Sequence, residues 1–122
     1  MNILVVEDEA GIRQTVVEYL GYLGHEVHQA ADGQEAFDLI QDGLRPDIII
    51  SDIQMPRICG ARMLAMIRVR LGLKIPVIFI SGGCPEHKER EIREMDAPIH
   101  RKPFSLRAVP ALIEREMSRQ AA

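Results

Sequence analysis

At 122 residues, with 47% hydrophobic and 27% charged side chains, the chain has the size and composition of one globular domain with its own core. A formal net charge of -3 gives no electrostatic footprint for nucleic acid, and two cysteines are too few for a disulfide framework. No apolar run approaches the roughly 20 residues that cross a bilayer, so direct nucleic-acid binding, membrane insertion and a cystine scaffold are all excluded as expectations.

The first apolar run, Ile3-Leu4-Val5-Val6, reads as a strand and stops on Glu7-Asp8. This early pair of acids, with no basic segment before it, also argues against a signal peptide; the expected location is cytoplasmic. Helical spacing follows at Ile12, Val16, Leu20 and Leu23, ending at Gly24. Asp32-Gly33 marks a turn, and a second stripe at Ala36, Phe37, Ile40 and Leu44 is closed by Gly43 and Pro46. Ile48-Ile49-Ile50-Ser51 then stops on Asp52, and a third helix is marked by Leu64, Ile67 and Leu71 before Gly72 and Pro76. Val77-Ile78-Phe79-Ile80 stops on Ser81.

Between Pro85 and Asp96 a highly charged segment offers only Ile92 and Met95 as apolar anchors. At roughly 1.5–3 kcal/mol per buried apolar side chain, these barely offset backbone ordering at about 1–2 kcal/mol per residue. A weakly docked fourth helix is expected, read equally as a solvated surface helix held by Glu-Lys and Glu-Arg pairs or as a mobile signalling element. The final run, Ile99-His100-Arg101, stops on Lys102-Pro103; a proline there admits a cis bond that would aim the ammonium inward. Ser105 suits a helix N-cap, and Pro110 falls early enough in the last helix to predict an irregular first turn. From Ser118 to Ala122 the chain reads as a fraying helix end, with no output domain after it.

Strand then helix, five times over, predicts an α/β fold with a doubly wound five-stranded parallel sheet covered on both faces by five helices, one domain over residues 1–122. In such sheets ligands bind beyond the carboxyl ends of the strands, where Glu7, Asp8, Asp52, Ser81 and Lys102 converge. Three neighbouring carboxylates repel one another unless a cation neutralises them. With oxygen donors and neither cysteine nor histidine among them, the ion expected is Mg²⁺. Lys102, the Ser81 hydroxyl and Mg²⁺ would hold the oxygens of a transferring phosphoryl group while Asp52, at the end of a fully apolar strand, attacks. Cys59 and Cys84 are expected in loops at this edge as free thiols. A redox or zinc site with His87 or His100 is the weaker reading, since four spaced ligands are not available.

Together, Glu7-Asp8-Glu9, Ser51-Asp52-Ile53-Gln54-Met55-Pro56 with Gly60, Ile80-Ser81-Gly82 and Lys102-Pro103-Phe104 resemble the receiver domain of two-component response regulators over essentially the whole chain. The resemblance implies a flavodoxin-like strand order, 2-1-3-4-5. It implies that Asp52 is the phosphoacceptor for a sensor histidine kinase or phosphotransfer protein, and that Glu7, Asp8, Asp52 and the Gln54 carbonyl form the Mg²⁺ shell, with the longer Glu7 acting through water. Ser81 and Lys102 would contact the phosphoryl oxygens and report its arrival. A downstream protein target or fused output domain and a phosphorylation-linked homodimer are the further partners implied.

The sequence departs from the family pattern at Ile99, where an aromatic switch residue is usual; isoleucine has no phenolic hydroxyl and a stiff χ1. Ser81 is therefore expected to act mainly on the Gly82-Gly83 loop and the fourth helix. Met95-Asp96 stands where a glycine-containing turn is common, and with Pro110 it alters the face formed by the fourth helix, fifth strand and fifth helix, where the family often makes partner or dimer contacts. The chain is not expected to be an enzyme beyond assisting its own phosphorylation and dephosphorylation. The alternative is a phosphorylation-independent protein-binding module on the same fold. A small phosphatase or nucleotide-binding protein fits least: no acid follows Asp52 by two residues, and Glu7-Asp8 stands where a glycine-rich phosphate cradle would be needed.

Overall fold

In a computed structural model that describes residues 1–102 and 105–121, the alternation becomes β1 (Asn2–Val6), α1 (Ala10–Tyr22), β2 (Glu26–Ala30), α2 (Gly33–Gln41), β3 (Ile48–Asp52), α3 (Gly60–Arg70), β4 (Val77–Ser81), α4 (Glu86–Glu94), β5 (Ile99–Arg101) and α5 (Val109–Ala121). All strand pairs are parallel and the sheet order is β2-β1-β3-β4-β5. After β2 the chain crosses β1 to place β3 on its other side. That reversal opens a crevice between the carboxyl ends of β1 and β3, the place where such sheets bind ligands.

Alternate strand residues supply two cores. Leu4, Val6, Ile49, Val77 and Phe79 face a cluster completed by Ala36, Phe37 and Ile40 of α2, Leu64 and Ile67 of α3, and Ile92 of α4. Ile3, Val5, Ile48, Ile50, Ile78 and Ile80 face the opposite cluster, with Leu20 of α1 and Val109 and Ile113 of α5. The continuous apolar runs of the sequence are thus strands buried on both faces. The α1 stripe is only partly buried: Leu20 is fully covered, whereas Ile12 and Leu23 are exposed, the latter because it already caps the helix end.

Within α4, Ile92 is the buried apolar anchor and the second buried residue is an acid, Glu89. Its carboxylate accepts two hydrogen bonds from Arg101 of β5, at 2.8 and 3.0 Å, and one from Arg93 at 3.3 Å. Met95, expected as an anchor, caps the helix half-buried. Asp96 follows at φ +61°, a left-handed position that aspartate tolerates better than most residues. A 3₁₀ turn over Leu106–Ala108, capped by the Ser105 side chain, precedes α5, and Pro110 is the second residue of that helix. Proline is tolerated there because first-turn amides have no intrahelical acceptor. Pro103, the expected bearer of a cis bond, lies outside the described residues.

Candidate phosphoryl and metal site

Three strand ends meet at the crevice. β1 ends at Val6, so Glu7 and Asp8 start the turn into α1; β3 ends on Asp52; Lys102 directly follows β5. One carboxylate oxygen from each of Glu7, Asp8 and Asp52 lies within 4.8 Å of the others. The Lys102 ammonium donates to Asp52 Oδ2 at 3.2 Å and stands 3.6 Å from Glu7 Oε2. Its backbone is tied to β4, for the Lys102 amide donates to the Ser81 carbonyl at 2.7 Å.

The acids are not alike. Asp52 is largely covered, its Oδ1 accepting the Ile53 amide at 2.7 Å, which leaves Oδ2 toward the crevice and Lys102. Glu7 is buried and Asp8 exposed, so one donor is fixed and the other faces water. The Glu7 main chain is held by Arg13, whose Nη1 donates to its carbonyl at 2.8 Å, and the Glu9 amide donates to Glu7 Oε1 at 3.2 Å. A hard dication suits this all-oxygen cluster, with one ligand open to solvent for the waters that Mg²⁺ retains.

Burial raises the Glu7 carboxyl above its ordinary 4.5; the Glu9 amide opposes this, Asp52 adds to it, and Lys102 opposes it. Burial alone would lower the Lys102 ammonium, but Asp52 and Glu7 outweigh it and raise it. Because folded Glu7 binds its proton more tightly than unfolded Glu7, its contribution to stability falls as pH rises above about 4.5. Glu7→Gln mimics the protonated form. In EDTA it is therefore expected to raise the urea midpoint at neutral pH, with the gain vanishing in acid below 4.5; a lowered midpoint at neutral pH would refute this.

Ser81 sits at the end of β4, fully buried, and its hydroxyl oxygen accepts the Gly83 amide at 3.0 Å, so it is engaged with its own loop. Gln54 lies two residues beyond Asp52, and its side-chain amide spans the mouth of the site to the Gly83 carbonyl at 3.3 Å. Ile99 pairs with Phe79 in the sheet and packs half-buried against the α2, α3 and α4 core. Cys59 and Cys84 are free and half-buried, in the loops before α3 and α4. Arg13, whose Nε also donates to Gln29 Oε1 at 3.1 Å, and the buried Glu89 carry no signal in the sequence pattern.

Comparison with known proteins gives a consistent family. A family model described as the response regulator receiver domain matches residues 3–114. Response regulator RR06 of Streptococcus pneumoniae is 37% identical over 120 residues, covering 94% of this chain and 54% of that protein. Sensor kinase CckA of Brucella abortus is 33% identical over 122 residues, covering 98% of this chain and 13% of the kinase. The chain thus spans about half the length of one curated relative and about an eighth of the other. Among solved structures, chemotaxis protein CheY4 of Vibrio cholerae superimposes with a TM-score of 0.82 at 32% identity, covering 93% of this chain and 96% of that one. Among the described residues, no helix is long and apolar enough to cross a membrane.

Proposed function

The chain belongs to the response regulator receiver domains of two-component signalling, and from there we propose that Asp52 accepts a phosphoryl group from a histidine kinase or phosphotransfer protein. The observation that carries this is the placement of the Asp52 carboxylate between a cluster of oxygen donors within 4.8 Å and a fixed ammonium at 3.2 Å. Asp52 Oδ2, the oxygen facing the crevice beside Lys102, attacks phosphorus; the new O–P bond forms as the donor's P–N bond breaks, and the imidazole leaves with the electron pair. Lys102 is already aimed at the acceptor and stabilises charge on the phosphoryl oxygens without reorganisation. Glu7, Asp8, Asp52 and the Gln54 carbonyl are the groups that would hold Mg²⁺, Glu7 by way of water, and the ion when bound would supply charge neutralisation for the phosphoryl oxygens.

The expected readout is a change of conformation and partner binding, not turnover of an external substrate. A Ser81 hydroxyl drawn toward a phosphoryl oxygen would pull on the Gly83 amide whose hydrogen bond it accepts, and through it on the loop leading to α4. Amide exchange with and without a phosphoryl mimic such as beryllofluoride is expected to change between Gly82 and Met95. Unchanged protection there would refute this route. Partners proposed are a sensor kinase, a downstream protein or fused output domain, and a second phosphorylated copy; the location proposed is the cytoplasm.

Incubation with Mg²⁺ and acetyl phosphate is expected to add one phosphoryl group to the wild-type chain and none to Asp52→Asn. The core packing of Ile99 favours one second reading, a phosphorylation-independent binding module; absence of labelling with any donor would support it. Steady hydrolysis of an external phosphoester would instead indicate a phosphatase.

A further inference from the structure

The loop from β3 to α3 turns sharply at Pro56-Arg57-Ile58, where the Ile58 amide donates to the Pro56 carbonyl at 2.8 Å and Arg57 holds φ at +67°. A three-residue turn of this hand is the rare form, and arginine seldom adopts left-handed backbone. Such a conformation persists where its surroundings over-determine it. Two contacts from the start of α2 do so here. The Asp32 carboxylate, largely covered, places Oδ2 3.3 Å from Arg57 Nε while its Oδ1 accepts the Glu35 amide at 2.8 Å. Gly33 lies so close that an added Cβ would stand 2.5 Å from the Ile58 carbonyl oxygen.

The near end of the same loop is fixed separately, by the Gly60 amide donating to the Ile53 carbonyl at 2.7 Å. Gln54 lies between these two clamps. We propose that Asp32, which is not itself part of the cation cluster, is a positioning residue for it: by holding Arg57 in its left-handed turn, it fixes where the Gln54 carbonyl stands relative to Asp8 and Asp52. This rests on the cation role proposed above.

Asp32→Ser separates the two jobs of the side chain. Serine still caps α2, but the charge facing Arg57 is gone. With Mg²⁺ titrated into the full chain by calorimetry, and the Ile53 and Gly60 amide shifts followed in parallel, Asp32→Ser is expected to weaken binding about two- to fivefold, the range open to an ion pair whose guanidinium is mostly exposed. Its unfolding midpoint in EDTA should stay near that of the wild type. Adding Arg57→Gly, which adopts positive φ without help, should restore binding, and Arg57→Gly alone should bind like the wild type. Wild-type Mg²⁺ affinity in Asp32→Ser, or a double variant as weak as the single one, would overturn the proposal while leaving the cation site standing. A wild-type chain that takes up no Mg²⁺ would overturn both.

Discussion

Gly60→Ala is expected to destabilise the fold by about 1–3 kcal/mol and to slow phosphoryl uptake at Asp52. A Cβ on Gly60 would stand 2.6 Å from Phe79 Cε1, 2.7 Å from the Asp52 carbonyl oxygen and 3.1 Å from Ile53 Cα. Two of these three neighbours are backbone, so no rotamer change relieves them; the third is a fully buried ring on the adjacent strand. Alanine's helical advantage over glycine, about 1 kcal/mol, is too small to offset the clash. Gly11→Ala in α1, where nothing lies within 4 Å of the added methyl, is the control and should be neutral or stabilising. Urea unfolding of the two variants checks this directly. If Gly60→Ala were as stable as Gly11→Ala, the close approach of α3 to the Asp52 strand would be wrong.

Lys102→Met should move two properties in opposite directions. In the metal-free protein its ammonium neutralises Asp52 at 3.2 Å and Glu7 at 3.6 Å, so it competes with any dication for those carboxylates. Two like charges several ångströms apart in a partly buried site repel by a few kcal/mol at an effective dielectric near 20. Removing one is expected to tighten Mg²⁺ binding on the order of tenfold, after allowance for the side chain's partial exposure. Labelling by acetyl phosphate should nevertheless slow by about 10²- to 10³-fold, as when a preorganised donor to a developing anion is removed. Calorimetry with Mg²⁺ and timed mass spectrometry separate the two effects. Weaker Mg²⁺ binding, or labelling at the wild-type rate, would show that Lys102 does something other than compete with the metal and hold the phosphoryl group.

The strands buried on both faces were legible because burial demands continuous apolar runs, and from Ile3, Ile48 and Val77 the charged strand ends followed directly. β2 was legible only as a gap in the alternation. It is an edge strand, Glu-Val-His-Gln-Ala, whose side chains are only partly covered, with Ala30 alone buried, so it needs no such run. Anchoring of α4 by Glu89 was invisible for a different reason. A buried acid depends on a cation elsewhere, here Arg101 twelve residues on, and no local pattern announces that pair. The same holds for Asp32 and Arg57, which meet only because α2 and the β3–α3 loop share a face of the sheet. Asp-Gly signalled a turn, as it should, but not what its carboxylate would hold.

The most direct test of phosphoryl acceptance at Asp52 is reductive trapping. Borohydride reduces an acyl phosphate to an alcohol, so a chain treated with Mg²⁺ and acetyl phosphate and then quenched should carry homoserine at position 52 alone. Peptide mass spectrometry should find that conversion in the wild type and lose it in EDTA or in Asp52→Asn. Conversion at Asp8 or Glu7, or an unmodified Asp52 after every donor, would contradict the assignment.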